Sequence, residues 1–283
     1  MAASRGRTAP DVGRIELAGI VDERCVGTCT DERIRRPPVM TALELHGVSM
    51  AFGGLRALDD VSFSVDEGEI LGLIGPNGSG KSTAFDVISG SLTPTAGHVS
   101  LRGEKISGLP AHRIARLGIG RTFQLVRPFL GLTTRENVMA GVRFGANATT
   151  SRAAARRRVD EILGIVDLAD QADRRSADLT VIERKRLEVG RALATGPSVI
   201  LLDEFMAGIS PVEVPEAVEL VKTINAMGIT VVVVEHIVKA ITALCRRVVV
   251  LDAGRKLAEG PVEAVVNDPA VIAAYLGSRH AAG

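Results

Sequence analysis

The chain has 283 residues, 46% of them hydrophobic but only 3% aromatic, with a net charge of +1 and no tryptophan. That length and apolar content allow one large domain or two small ones, with a core built from Val, Leu, Ile and Ala. The near-zero charge does not point to nucleic acid. No apolar run approaches the ~20 residues that span a bilayer, and three cysteines, an odd count, make no disulfide framework. Arg5 and Arg7 are followed by no apolar stretch, so the N-terminus does not read as a secretory signal. The composition is that expected of a reduced, cytosolic, soluble protein.

Residues 1–39 mix Arg, Asp, Glu, Gly and Pro without a sustained apolar period, which predicts disorder. Cys25 and Cys29 have C-x-x-x-C spacing there. Two more nearby metal ligands are missing, so they are expected to be unligated thiols. Met40 opens the first regular segment, and a start at Met40 is compatible with the pattern. From Leu43 the chain reads as β-structure. Leu43, Leu45 and Val48 lead to Phe52-Gly53-Gly54, and Val61, Phe63 and Val65 then alternate with Ser62 and Ser64. Phe52 by itself reads as a core aromatic, and a ring that stacks on an adenine is the alternative.

Residues 70–83 read ILGLIGPNGSGKST. Ile70, Leu71, Leu73 and Ile74 suit a strand buried on both faces. Gly75, Pro76, Asn77, Gly78, Ser79, Gly80, Lys81 and Ser82 then fit G-x-x-x-x-G-K-[ST], with Thr83 next in line. The glycines let the backbone curl around an anion and turn its N–H groups inward. The following helix brings the positive end of its dipole to the same anion. Lys81 can reach β- and γ-phosphates, and the Ser82 hydroxyl can bind Mg²⁺. The segment predicts binding of a nucleoside triphosphate.

Ala84–Ser89 continues the helix to a stop at Gly90, and Val99, Leu101 and Ile106 fit a β-ribbon around Arg102-Gly103. A short helix is expected over Ala111–Leu117. After Gly120-Arg121-Thr122-Phe123-Gln124 the chain leaves the sheet for a helical stretch of roughly 70 residues. Ser151–Val166 lies in it with apolar positions at helical spacing, and Arg156-Arg157-Arg158 reads as a solvated helix face. Residues 199–204, VILLDE, suit a buried strand that delivers acids to the edge where α/β sheets bind ligands. Asp203 can hold Mg²⁺ through water, and Glu204 can position or polarise the attacking water. Thr230–Val234 is a second such strand, ending in Glu235-His236, so His236 can reach a γ-phosphate. His46, His98, His112 and His280 have no such placement.

In this order and spacing, the phosphate loop, Gln124, VILLDE and His236 resemble the ATP-binding cassette of ABC transporters, from about Thr41 to Gly277. The resemblance implies an α/β P-loop NTPase fold. Its parts would be a mostly parallel core sheet, an N-terminal antiparallel β subdomain and a helical subdomain inserted at about residues 125–190. It implies that Phe52 stacks on adenine and that Gln124 is the Q-loop glutamine that senses Mg²⁺ and the transmembrane partner. Glu204 would be the catalytic base and His236 the switch histidine. It further implies an ATPase that works as a dimer on the inner face of the membrane, docked on permease subunits and served indirectly by a periplasmic or extracellular substrate-binding protein. Within the family, ALDDVSF, GRTFQLVRPFLGLTTRENVMAG, the run from RKRLEVGRALAT to LLDE, and VIAAYLG look most like ATPases of branched-chain amino acid importers. Rival readings are the ATPase of a lipid or lipid-linked glycan exporter, a soluble ABC protein acting on ribosomes or DNA, and a partner that binds ATP without hydrolysing it.

The sequence departs from the family at one segment. Where L-S-G-G-Q belongs, the chain reads Leu179-Thr180-Val181-Ile182-Glu183. Two β-branched residues, confined to negative φ, replace two glycines. Gly208-Ile209-Ser210 likewise stands where Gly-Leu-Asp belongs. A homodimer would then hold two weak sites, so a second, different ATPase subunit is expected beside this one.

Overall fold

The computed structural model describes residues 40–122 and 128–280, the last five of these without their side chains. The expectations for residues 1–39, Cys25 and Cys29 included, and for Gln124 lie outside the described residues.

Period-two patterning sets the first elements. β1 (Thr41–Phe52) and β2 (Leu55–Asp66) pair antiparallel about the Gly53-Gly54 turn. Leu43, Leu45, Val48, Leu58, Val61 and Val65 point inward and are fully buried. β3 (Ile70–Ile74) follows the turn at Glu67-Gly68 and feeds α1 (Lys81–Ile88). β4 (Ala96–Leu101) and β5 (Glu104–Lys105) form a hairpin through Arg102 and Gly103, both at positive φ, as a tight two-residue turn between twisted strands requires. β1, β2, β4 and β5 make a four-stranded sheet in the order β2-β1-β4-β5.

α2 (Ala111–Leu117) and β6 (Ile119–Arg121) come next. Among the described residues three α-helices then precede the return to the sheet: α3 (Thr134–Phe144), α4 (Arg152–Ile165) and α5 (Val181–Ala194). On α4, Ala155, Val159, Ile162 and Leu163 are buried at helical spacing while Arg156 and Arg157 are exposed. The chain ends with β7 (Val199–Asp203), α6 (Val214–Ala226), β8 (Thr230–Val234), α7 (Val238–Leu244), β9 (Arg247–Asp252), β10 (Arg255–Pro261), α8 (Val262–Val265) and α9 (Pro269–His280).

The second sheet has six strands in the order β10-β9-β3-β8-β7-β6, all parallel except edge strand β10. Every residue of β7 and β8 is buried, as expected of parallel strands covered on both faces. Alternate residues serve two cores. Leu201, Val232 and Val234 pack with α1 and the antiparallel sheet, whereas Ile200, Leu202, Val231 and Val233 pack in the core shared with α4, α5, α6 and α7. Each fully buried Val, Leu or Ile contributes roughly 1.5–3 kcal/mol relative to exposure. The central strands are therefore firmly fixed, and so are the loops at their C-terminal ends.

Candidate nucleotide site

β3, β8 and β7 are neighbours and parallel, so the loops that follow them meet at one edge of the sheet. The first is the phosphate loop, and its glycines are forced by geometry. Gly75 has φ 149°, and a Cβ there would lie 2.1 Å from Leu251 O. Gly80, the N-cap of α1, has φ 106°, and a Cβ would lie 2.6 Å from Ala57 O. No side chain caps α1 and no acid occupies its first turn, so its leading N–H groups and dipole are left for an anion. A cavity of about 290 Å³ opens there, lined by Ala57, residues 77–83 and Glu204. Pro76 lines a neighbouring hollow with Asn77 and Ala253.

Lys81 bends back over the loop. Its Nζ donates to Gly75 O at 2.8 Å and to Pro76 O at 2.9 Å, and the residue is 6% exposed. Burial pulls its pKa down, while the charges of Glu204 and Asp203 oppose that shift. Those carbonyls hold the ammonium at the loop, where phosphate oxygens would be stronger partners.

β7 delivers the acids. Asp203 is buried, and burial pushes its carboxyl up against the opposing charge of Arg121. Its Oδ2 accepts from Arg121 Nη2 at 3.2 Å, whereas Oδ1 is buried with no hydrogen-bond partner among the described residues. That orphaned oxygen, with the exposed Ser82 at the start of α1, is the hard-oxygen donor set that suits a water-rich Mg²⁺ site. Glu204 adopts φ 50°, a left-handed conformation costing a non-glycine residue about 1–3 kcal/mol. Past this turn, Glu204 Oε1 lies 2.9 Å from His236 Nε2.

The loop after β7 is pinned on both sides. Glu204 N donates to Val234 O. Lys185 Nζ, from α5, donates to Glu204 O at 3.2 Å and Phe205 O at 2.9 Å. Glu235 Oε1 accepts from Met206 N at 2.6 Å. Burial raises Glu235 to about 7, against the pull of the Met206 N–H and Lys185.

The structure thus brings Gly75–Thr83, Asp203, Glu204 and His236 to one edge. Phe52 ends β1 about half exposed, at 47%, and does not line the phosphate-side cavity. Sequence reasoning missed Arg121, Lys185, Glu235 and Tyr275, the last of which hydrogen-bonds the backbone of Gly75. Arg121, Lys185 and Glu235 stand in runs already singled out, yet only their burial separates them from surface charges.

The departing segment forms the start of α5. Thr180 is its N-cap: Thr180 Oγ1 accepts from Glu183 N at 3.3 Å, and Glu183 Oε2 accepts from Thr180 N at 2.7 Å. This is a complete capping box. Val181 is 62% exposed.

A phosphate loop after β3, a carboxylate pair at the tip of β7 and a glutamate–histidine contact are the arrangement of an ATP-hydrolysing cassette. The ABC transporter family matches residues 58–207, and the chain belongs to that family as an ATP-binding subunit that hydrolyses ATP. A second match, to the branched-chain amino acid ATP-binding cassette transporter family, covers residues 255–281. The chain is 38% identical over 248 residues to the high-affinity branched-chain amino acid transport ATP-binding protein LivG of Salmonella typhimurium, covering 83% of this chain and 97% of LivG. It is 34% identical over 240 residues to the lipopolysaccharide export system ATP-binding protein LptB of Haemophilus influenzae, covering 85% and 99%. The crystal structure of a nucleotide-free ATP-binding cassette from an ABC transporter superposes with a TM-score of 0.76 at 30% identity, covering 83% of this chain and 98% of that one.

Proposed function

We propose that this chain powers an importer of branched-chain or chemically related amino acids, working at the inner face of the membrane. The observation that carries this is the match to LivG along nearly its whole length, joined by the separate C-terminal match at residues 255–281. Among the described residues no helix is long and apolar enough to cross a membrane. The transport path therefore belongs to separate permease subunits, and a periplasmic or extracellular protein presents the substrate to them.

The roles follow from position. The Gly75–Gly80 backbone and Lys81 hold the β- and γ-phosphates, with Ser82 and Thr83 at the helix start beneath them. Phe52, exposed at the end of β1, offers a face to the adenine. Ser82 and Asp203, with Gln124, would hold Mg²⁺, which supplies neutralisation of phosphate charge when bound. Glu204 orients a water toward the γ-phosphorus and takes its proton as the new P–O bond forms and the bond to ADP breaks. His236, 2.9 Å from Glu204, holds that carboxylate in place and can meet the γ-phosphate. Catalysis here is mostly positioning and electrostatics.

The capped start of α5 supports pairing with a second, glycine-bearing ATPase subunit. Thr180 and Glu183 already hold each other's N–H groups, and the Glu183 carboxylate sets a negative charge in the first turn, where it would oppose a neighbour's phosphate. The test is ATPase activity of this chain reconstituted with the permeases and that second subunit. Stimulation by a substrate-binding protein loaded with leucine, isoleucine or valine is expected. Stimulation by lipopolysaccharide instead would overturn the amino-acid reading in favour of export.

A further inference from the structure

Arg121, the last residue of β6, is buried beside the site without belonging to any role assigned above. Its side chain is 8% exposed. Nη1 donates to Asp86 Oδ1 at 2.6 Å and to Ser89 Oγ at 2.9 Å, both on the far part of the α1 segment. Nη2 donates to Asp203 Oδ2 at 3.2 Å. The guanidinium carbon lies 5.7 Å from the centroid of the Phe85 ring, a cation–π contact that limits its tilt. One rigid, planar fork thus ties α1, the helix that carries Ser82 in its first turn, to the strand tip that carries Asp203.

The consequence falls on Asp203. With Oδ2 held by Arg121, the other oxygen, Oδ1, is left buried with no partner among the described residues. Native proteins rarely leave a buried carboxylate oxygen unpaired, and such an atom calls for an ion or water. The charge arrangement points the same way. Asp86 and Glu204 both repel the Asp203 carboxylate, and Arg121 offsets them through its charge and its hydrogen bond.

We propose that Arg121 is a positioning residue for the cation of Mg-ATP: it clamps one oxygen of Asp203, fixes the carboxylate against α1, and so presents the other oxygen to the ion's water shell. This rests on the reading of Asp203 as the carboxylate that holds Mg²⁺. It gives Arg121 a role in cation binding separate from nucleotide binding, because Lys81 is held at the phosphate loop by Gly75 O and Pro76 O, whereas Arg121 acts on Asp203. A lysine at 121 would keep the charge but lose the fork.

The test compares wild type with Arg121→Gln, Arg121→Lys, Asp86→Asn and Asp203→Asn in the full chain. Affinity for a fluorescent ATP analogue is measured in EDTA. Mn²⁺ binding to the ATP complex is followed by electron paramagnetic resonance, which needs no turnover. Arg121→Gln is expected to bind nucleotide in EDTA as tightly as wild type, yet to need about 10–100-fold more Mn²⁺ for half-saturation. Its kcat should fall with little change in KM for ATP. Arg121→Lys should recover part of the loss, and Asp86→Asn should shift the cation requirement in the same direction by less. A wild-type Mn²⁺ requirement in Arg121→Gln overturns the proposal, as does an equal loss of nucleotide binding in EDTA. If Arg121→Gln does not fold, an unchanged Mn²⁺ requirement in both Arg121→Lys and Asp86→Asn overturns it. If Asp203→Asn shifts the requirement and Arg121→Gln does not, only the role of Arg121 fails. If Asp203→Asn shifts nothing, the reading of Asp203 fails first.

Discussion

The starts of α1 and α5 pose the same chemical problem and answer it in opposite ways. Each has leading N–H groups with no partner inside the helix. At α1 the N-cap is Gly80, no side chain reaches back, and the first turn carries no acid. At α5 the N-cap is Thr180, and Glu183 closes a capping box from the first turn. α3 is closed in the same way by Thr133 and Glu136, so α5 is built like an ordinary scaffold helix and α1 is not. In the proposed site an anion seat is made by withholding a cap, at a cost in helix stability that the buried core around α1 can bear. The contrast also teaches how a cassette can keep one helix start open while another is closed by its own side chains.

The comparison breaks most completely at Lys81. Lys81→Ala removes the ammonium that sits on Gly75 O and Pro76 O, and ATP binding should be lost while circular dichroism stays that of the wild type. Retained micromolar-range binding of a fluorescent ATP analogue would show that the open helix start suffices without the lysine. Glu204→Gln comes next. The amide keeps the shape and a contact to His236 but cannot take the water's proton, so turnover should fall ~10²–10⁴-fold with ATP binding intact. Hydrolysis at the wild-type rate would remove Glu204 from catalysis.

A smaller effect is expected from reopening α5. Val181→Gly with Ile182→Gly restores backbone freedom at the start of the helix without touching Thr180 or Glu183. Purified alone, the unmodified chain should hydrolyse ATP slowly, and the double variant should be faster. Full, cooperative turnover by the unmodified chain alone would refute the asymmetric pairing.

How much of this was legible in the sequence follows from the same physics. Gly75 and Gly80 were legible because a positive φ and a backbone approach under 3 Å leave room for no other residue, so geometry is written in residue identity. β7 and β8 were legible as unbroken apolar runs, and α4 by its period. The expected helical stretch instead divides into α3, α4 and α5, with short 3-10 turns at Ala169–Gln171 and Ser176–Asp178. Lys185 was not legible, because its role depends on α5 lying against the loop after β7, a contact between residues distant in sequence. Arg121 was hidden for the same reason: its partners Asp86 and Asp203 lie on two other elements. The identity of a charged residue says little until the fold supplies its neighbours.

The finest test of the contrast is Thr180→Ala. Thr180 is exposed, so its hydroxyl contributes through the cap alone: it accepts from Glu183 N, and without it one leading N–H of α5 loses its partner. Loss of a threonine cap costs about 1 kcal/mol. Chemical denaturation should therefore show a lower midpoint with an unchanged slope. ATP affinity of the isolated chain should not move, since the nucleotide seat proposed above is at α1, where no side-chain cap exists to be lost. A second variant, Thr180→Ser, keeps the hydroxyl and should restore most of the stability. If Thr180→Ala weakened nucleotide binding and left the midpoint alone, the two helix starts would not divide the work as described: α5 would be reaching the nucleotide, and its capping box would be a contact that opens when ATP arrives.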